Sequence, residues 1–388
     1  MLKALAISNY RSIRTLVLPL GPLNLVTGAN GSGKSNLYKA LRLLSDTALG
    51  SAAGSIAGEG SLASVLWAGP EQFSRGMIQG DEPVQGGPRK NRVNLRLGIA
   101  GDDSSYAIDF GLPAPVARTL FDGDPEIKRE AIWIGEAYHH SRLMIDRTGP
   151  VVKARDDSGA WQVLNRHLPV FDSMLARSSD PILAPEAFAL REQIRSWRFY
   201  DQFRTDRDAP SRQAQIGTRT LVLHHDGRDL PAAWQTILEI GDAEGLGRVL
   251  ADAFPGAEVF IERDGGRFAL KFHQRGLLRP LDQWELSDGT LRYLCLAAAL
   301  LTPRPPTLMI LNEPETSLHP ELLPALARLM LRAAETTQLW VTSHSDVLIS
   351  LLQENPVCNH LRLTKRLGET QLLDVSAADI PAWRWPNR

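Results

Sequence analysis

Four short stretches carry residue types whose spacing could do phosphate chemistry. The first is Gly28-Ala29-Asn30-Gly31-Ser32-Gly33-Lys34-Ser35. Its glycines let backbone N–H groups converge on phosphate oxygens, Lys34 is long enough to reach β and γ phosphates, and the Ser35 hydroxyl can ligate magnesium. The second is "LMILNEPETSLHP", Leu308 to Pro320, an apolar run that ends on Asn312 and Glu313. The third is "ELSDGTLRYLCLAAALL", where Ser287 and Gly289 open a helix with an apolar stripe of Leu291, Leu294, Cys295 and Ala298. Its exposed N-terminus could receive a phosphate from another molecule, although Ser-Asp-Gly serves equally well as a plain helix cap. The fourth is "LWVTSHSD", in which His344 leaves the end of another apolar run.

Strands and helices must bring these residues together. Leu23 to Thr27 reads as a short buried strand running into the glycine loop, and Leu37, Ala40, Leu41 and Leu44 recur behind the loop at helical spacing. One helical pattern separates "LMIL" from "LWVTS". Two adjacent parallel strands would therefore deliver Glu313 and His344 to one edge of a sheet. Residues 2 to 8 and 14 to 19 read as strands around "NYRSI", and 49 to 90, rich in Gly, Ser and Pro, as an irregular insertion. Alternating segments up to about residue 165 predict an antiparallel sheet. Helical periodicity follows from about 166 to 252, then two strands, "AEVFIER" and "RFALKFH", and finally strand and helix in alternation with a closing hairpin at "LGET". The expected organisation is 1–165 for the N-terminal part of a nucleotide-binding lobe, 166–300 for a helical lobe, and 301–388 for the C-terminal part of the first lobe.

Composition bounds the partners. The 388 residues hold 43 Lys and Arg against 44 Asp and Glu, a net charge of -1, so any nucleic-acid contact needs a local basic patch. Two cysteines, Cys295 and Cys358, cannot form a disulfide framework, and no 18 apolar residues run together. The expectation is a soluble, cytoplasmic protein without a membrane partner. In "LREQIRSWRFYDQFRTDRDAPSR", Arg191, Arg195 and Arg198 fall on one helix face with Trp197, Phe199 and Tyr200 between them. That pattern could be a DNA-facing stripe, but it is more often a solvated edge over a core, here diluted by Glu192, Asp201 and Asp206.

The P-loop, "LSDGT", "NEPETSLHP" and "TSHS", in that order, resemble the Walker A, signature, Walker B with D-loop, and switch-histidine motifs of ABC-type ATPase heads. The opening "ISNYRSIRTLVLPLGPLNLVTGANGSGKSNLYKALRLL" is similar to the RecF, SMC and OLD group, most of all to bacterial predicted ATPases of the AAA_21 and AAA_15 kinds. The interval from Ser35 to Leu286 is longer than a transporter ATPase subunit has, and no heptad run fills it as in SMC proteins. Too little chain follows His344 for the nuclease domain of OLD proteins. The resemblance implies an α/β P-loop NTPase of ABC-ATPase type, a mixed-sheet lobe with an antiparallel β subdomain plus a helical lobe.

It also implies roles. Asn30, Gly31, Ser32, Gly33, Lys34, Ser35 and Asn36 would hold the triphosphate of ATP, and Ser35 with Asn312 the Mg2+. Glu313 would polarise the attacking water and His344 would contact the γ-phosphate. Ser287, Gly289 and Ser317 would act across an ATP-dependent head-to-head homodimer. Arg11 would approach the phosphates, or else be a turn arginine. The glutamine that joins the lobes would be Gln162 or Gln202. Slow hydrolysis would serve as a switch coupled to double-stranded DNA or a partner effector protein, in DNA maintenance or anti-phage defence. The alternative is a nucleotide-sensing scaffold that does not turn over. Two residues depart from the pattern: Asp288 stands where transporter-type signatures have glycine, and Asn312 where Walker B has aspartate. An amide oxygen can still accept from a magnesium-bound water, but losing one negative charge at about 5 Å from a divalent cation forfeits several kcal/mol of attraction at a dielectric of about 20, part of it cancelled by solvation. Weaker magnesium binding and slow turnover are expected.

Overall fold

Period-two alternation up to residue 165 produces eight antiparallel strands. From edge to edge they run Ile13–Pro19, Leu2–Tyr10, Leu95–Gly101, Ser104–Gly111, Glu126–Ile134, Leu143–Thr148, Val151–Arg155 and Trp161–Asn165. The computed structural model describes residues 1–86, 93–113, 120–121, 123–376 and 378–386. Trp133, Ala107, Ala131 and Leu143 form a small core on this sheet, against which Tyr138, Trp383 and Trp385 pack. The sheet also buries one ion pair, Arg147 with Glu130 at 2.6 Å. Glu130 further accepts from Tyr106 Oη, Ser173 Oγ and the Met174 N–H, so the pair is hydrogen-bonded throughout and ties the chain after Pro169 to the strands.

The insertion at 49 to 90, expected to be irregular, contains three short helices, Ala52–Gly58, Leu62–Val65 and Arg75–Gln79; residues 87–90 lie outside the described ones. The serines that suggested loops are helix caps: Ser61 accepts from the Ser64 N–H and Ser74 from the Met77 N–H.

Contacts divide the chain into two compact units, Met1–Gly21 with Thr27–Ser196 and Leu361–Arg388, and Pro22–Val26 with Trp197–His360. The expected lobe boundaries at 165 and 300 fall inside these units. The second unit is built on parallel strands in the order Arg198–Tyr200, Leu308–Asn312, Gln338–Thr342 and the first residues of Leu23–Gly28. Such strands are covered on both faces, which is why "LMIL" and "QLWVT" read as unbroken apolar runs. Helices Leu230–Ile240, Asp288–Leu300 and Leu323–Ala333 supply Trp234, Tyr293, Leu294, Leu326 and Met330 to the core on that sheet. A smaller sheet joins Gln215–Ile216, Arg267–Gln274, Ala257–Asp264 and Leu281–Asp282. Cys295 is fully buried in the core, and burial raises both thiols, Cys358 to about 11, so neither is primed for redox chemistry.

The arginine stripe does not form. Helix Pro185–Arg195 ends before Arg198, and Arg198–Tyr200 is a strand parallel to Leu308–Asn312. Trp197, Phe199 and Tyr200 are all buried, and consecutive aromatics suit a sheet better than another helical turn. Arg191 and Arg195 both pair with Glu192, so their charge is largely spent on the helix itself.

Candidate functional site

The phosphate loop leaves the strand Leu23–Gly28 and enters the 16-residue helix Lys34–Leu49 through Gly33, whose φ of 112° lies in the left-handed region. No side chain caps this helix. A Cβ on Gly33 would collide with Thr370, so glycine is required there by space as well as by angle. Thr370 buttresses the loop: its Oγ1 donates to Ser32 O at 2.8 Å and lies 2.6 Å from Ser12 Oγ, which accepts from Asn36 Nδ2 at 2.7 Å. Lys34 is buried and donates from Nζ to the carbonyls of Gly28 at 2.6 Å and Ala29 at 3.1 Å. Asn30, Gly31 and Ser35 are exposed, whereas Ser32 Oγ is buried without a partner. An orphaned hydroxyl, a buried ammonium and uncapped amides in one loop fit a polyphosphate.

Arg11 adopts φ 52°, and its guanidinium binds Glu59. Lys39 Nζ lies 2.8 Å from the same carboxylate, and Tyr10 Oη donates to it at 3.3 Å. Burial works to raise Glu59, but the Lys39 and Arg11 hydrogen bonds outweigh it and hold the carboxyl below its ordinary value. Burial, helped by Glu59, pushes Tyr10 up to about 12.

On the second unit the parallel register sets Asn312 opposite Thr342 and Thr342 opposite Val26, so three strands end level. The residues just beyond that edge are Glu313 and His344, with His344 Nε2 at 3.4 Å from Glu313 Oε1. Both side chains are part-exposed and open to solvent. Glu313 takes φ 48°, which costs a residue with a Cβ about 1–3 kcal/mol. Its N–H donates to Thr342 O at 2.8 Å and its carbonyl accepts from the Thr316 N–H at 3.1 Å, which fixes the turn. Gln202 follows Tyr200, which pairs in parallel with Leu311, and so stands beyond the same edge as Glu313. Gln162 lies in the edge strand Trp161–Asn165 of the antiparallel sheet.

Ser287 is the N-cap of helix Asp288–Leu300, accepting from the Thr290 N–H at 3.2 Å. Gly289 packs on the following loop: a Cβ there would lie 2.9 Å from Ser317 O. Ser317 itself has φ 64°. Both residues line an open hollow of about 640 Å³ with Thr290, His319 and Phe254. Two arginines hold these pieces. Arg292, buried and with its pKa lowered by that burial, donates to Thr316 O and to Phe203 O. Arg212 donates to Leu286 O at 2.7 Å, Trp284 O at 3.1 Å and Asp288 Oδ1 at 2.6 Å. Asp288 thus has a partner that a glycine could not engage.

Thr370, Ser12, Glu59, Arg212, Arg292 and Glu315 escaped the sequence reading. Each acts on a segment distant in the chain, and all but Arg292 carry no local signature. Arg292 alone gave a hint, as a charge inside an apolar helical run.

A family profile, AAA_21, described as "AAA domain, putative AbiEii toxin, Type IV TA system", matches residues 23–350. The DNA replication and repair protein RecF of Brucella abortus (strain 2308) is 35% identical over 140 residues, 33% of this chain and 35% of that protein. The OLD nuclease of Thermus scotoductus is 43% identical over 44 residues, 11% of this chain and 8% of that one. The chain thus spans about a third of the length of the RecF protein it matches. Among solved structures, an SMC head bound to the C-winged helix domain of ScpA gives a TM-score of 0.53 at 14% identity over 97% of this chain and 98% of that one, a likeness of fold. The chain belongs to the AAA_21 family and has the ABC-type ATPase fold of the RecF, SMC and OLD group.

Proposed function

We propose that this protein binds Mg-ATP, closes into a head-to-head dimer around two nucleotides, and hydrolyses ATP slowly as a switch coupled to DNA maintenance or anti-phage defence. The carrying observation is the pair Glu313 and His344, 3.4 Å apart beyond one sheet edge, with Glu313 held in a left-handed backbone conformation. A carboxylate there can take a proton from water, and the imidazole beside it can hold the water and the terminal phosphate in line. Lys34 and the N–H groups of residues 30 to 36 bind the phosphates. Ser35 Oγ and the Asn312 amide oxygen are the groups that would hold magnesium, which when bound neutralises phosphate charge. The N-terminus of helix Asp288–Leu300, with Ser287 and Gly289, receives the γ-phosphate of the partner subunit's nucleotide, and Ser317 lines the same interface. The coupling to double-stranded DNA or to an effector protein rests on the family, as does a cytoplasmic location.

Light scattering tests the switch. ATP should dimerise the protein and ADP should not. Glu313→Gln should accumulate as a dimer with ATP and magnesium, and Ser287→Arg added to it should restore the monomer. A mass independent of nucleotide for Glu313→Gln would refute engagement and leave Ser287 as a cap of its own helix. A second reading, a nucleotide-sensing scaffold without turnover, is favoured by Asn312, and ATP consumption measured with and without duplex DNA separates the two.

A further inference from the structure

Glu315 lies between Glu313 and the Ser317 turn. Its Oε1 accepts three hydrogen bonds from one short segment: Ser343 Oγ at 2.7 Å, the His344 N–H at 2.8 Å and the Ser345 N–H at 3.2 Å. Its Oε2 is buried without a hydrogen-bond partner. Burying one oxygen of a carboxylate unpaired is unfavourable, so a residue chosen only to fill space here would be neutral. The three donors are consecutive residues with His344 in the middle, and Ser345 caps helix Asp346–Gln353, so one carboxylate oxygen fixes the backbone on both sides of the histidine. On its other side the next carbonyl, Thr316 O, is held by Arg292 of the signature helix, and Ser317 O lies under Gly289.

We propose that Glu315 is a positioning residue that holds the His344 imidazole against Glu313 and ties that placement to the loop carrying Ser317. A continuous set of direct contacts then runs from Gly289 and Arg292, through Thr316 and Ser317, to Glu315 and the histidine. A shift of the Ser317 loop on dimer closure would be felt at the hydrolytic pair. Glu315 touches neither water nor nucleotide in this role. Glu315→Ala removes all three bonds, whereas Glu315→Gln keeps the reach and a neutral acceptor oxygen. The backbone part of the inference stands alone, and the hydrolytic part rests on the function proposed above.

The experiment has two arms on the full chain. In hydrogen exchange, the His344 amide should exchange at least about tenfold faster in Glu315→Ala than in the wild type, with Glu315→Gln between them, while the Ser345 amide, which also donates to Ser343 Oγ at 3.1 Å, should change less. Wild-type protection in Glu315→Ala, or in Glu315→Gln should the alanine variant not fold, overturns the proposal. In steady-state kinetics, kcat should fall about tenfold to a hundredfold in Glu315→Ala with KM little changed, since misplacing a catalytic group by an ångström has that effect. In a His344→Ala background the same substitution should change kcat by less than about twofold. Losses that multiply in the double variant would show that Glu315 acts independently of His344 and overturn the positioning role. A wild type without ATP turnover would defeat the function proposed above, while the exchange arm still decides Glu315.

Discussion

Arg212→Met separates stability from engagement at the signature loop. Arg212 is 9% exposed and donates to Thr205 O at 2.8 Å, Leu286 O at 2.7 Å, Trp284 O at 3.1 Å and Asp288 Oδ1 at 2.6 Å. The Asp288 side chain is 61% exposed, so that pair contributes only about 0–1 kcal/mol to stability. Leaving aside the longest bond, to Trp284 O, hydrogen bonds from a charged donor to the Thr205 and Leu286 carbonyls are worth about 1.5–3 kcal/mol each, and methionine preserves the packing of the stem. The expected loss is therefore about 3–6 kcal/mol, a fall in melting temperature of roughly 10 °C for a unit of this size. The charge effect is separate. Asp288 sits in the first turn of a helix that, in the proposed dimer, meets a phosphate, and Arg212 neutralises it. Unpaired, a carboxylate about 5 Å from a phosphate charge is unfavourable by about 3 kcal/mol at a dielectric of about 20, roughly a hundredfold in the dimer constant. Calorimetry should find ATP affinity of the Arg212→Met monomer unchanged, because the phosphate loop is untouched. Light scattering in the Glu313→Gln background should find ATP-driven dimerisation weakened by about that factor. Adding Asp288→Asn should restore dimerisation without restoring the melting temperature. Undiminished dimerisation in Arg212→Met, or a double variant that stays monomeric, would refute the charge argument.

Lys34→Ala should abolish nucleotide binding and leave the fold intact, because the ammonium is held by loop carbonyls and not by the core; unchanged ATP affinity by calorimetry would remove the phosphate-loop assignment. Asn312→Asp should lower the magnesium concentration needed for half-maximal activity, and an unchanged or higher requirement would contradict the argument from the missing charge. Glu59 is held below its ordinary pKa by Lys39 and Arg11 against the opposing effect of burial. Its contribution to stability is complete above the unfolded value and disappears as pH falls through the lower folded value. Glu59→Gln should consequently lose less melting temperature than the wild type between about pH 5 and pH 3, and parallel acid limbs would exclude that linkage.

The phosphate loop was legible because its main requirements are local: a strand before, a helix after, and glycines at positive φ between them. The pairing of Glu313 with His344 was legible because one helix between two apolar runs leaves adjacent parallel strands as the short connection. Arg198 misled because a spacing of three or four residues is a helix signal only while the chain is helical, and "RFY" is more stable buried as a strand beside Leu308–Asn312. The serines of the insertion misled for a related reason, since a residue that favours turns also favours caps. Arg212 and Glu315 were not legible at all. Their function is to satisfy carbonyls and amides far along the chain, and nothing near them in sequence announces those partners.

The two departures from the family pattern act in opposite electrostatic directions. Asn312 withdraws a negative charge from the residues that would hold magnesium, and Asp288 adds one at the helix that would meet the partner's phosphate, where Arg212 neutralises it. If Asn312 holds magnesium as proposed, the first would lower the fraction of nucleotide complexes competent for chemistry, and apparent turnover would scale with that fraction. The second, once paired, leaves the helix N-terminus free to attract phosphate and brings a clamp that fixes the loop in place. In the proposed dimer the two together would favour forming the ATP-bound state over consuming it. In the proposed cycle, weaker magnesium retention and a signature loop held by Arg212 would both lengthen the bound state, which suits a timer better than a motor and is compatible with the Glu313 and His344 pair proposed to carry hydrolysis.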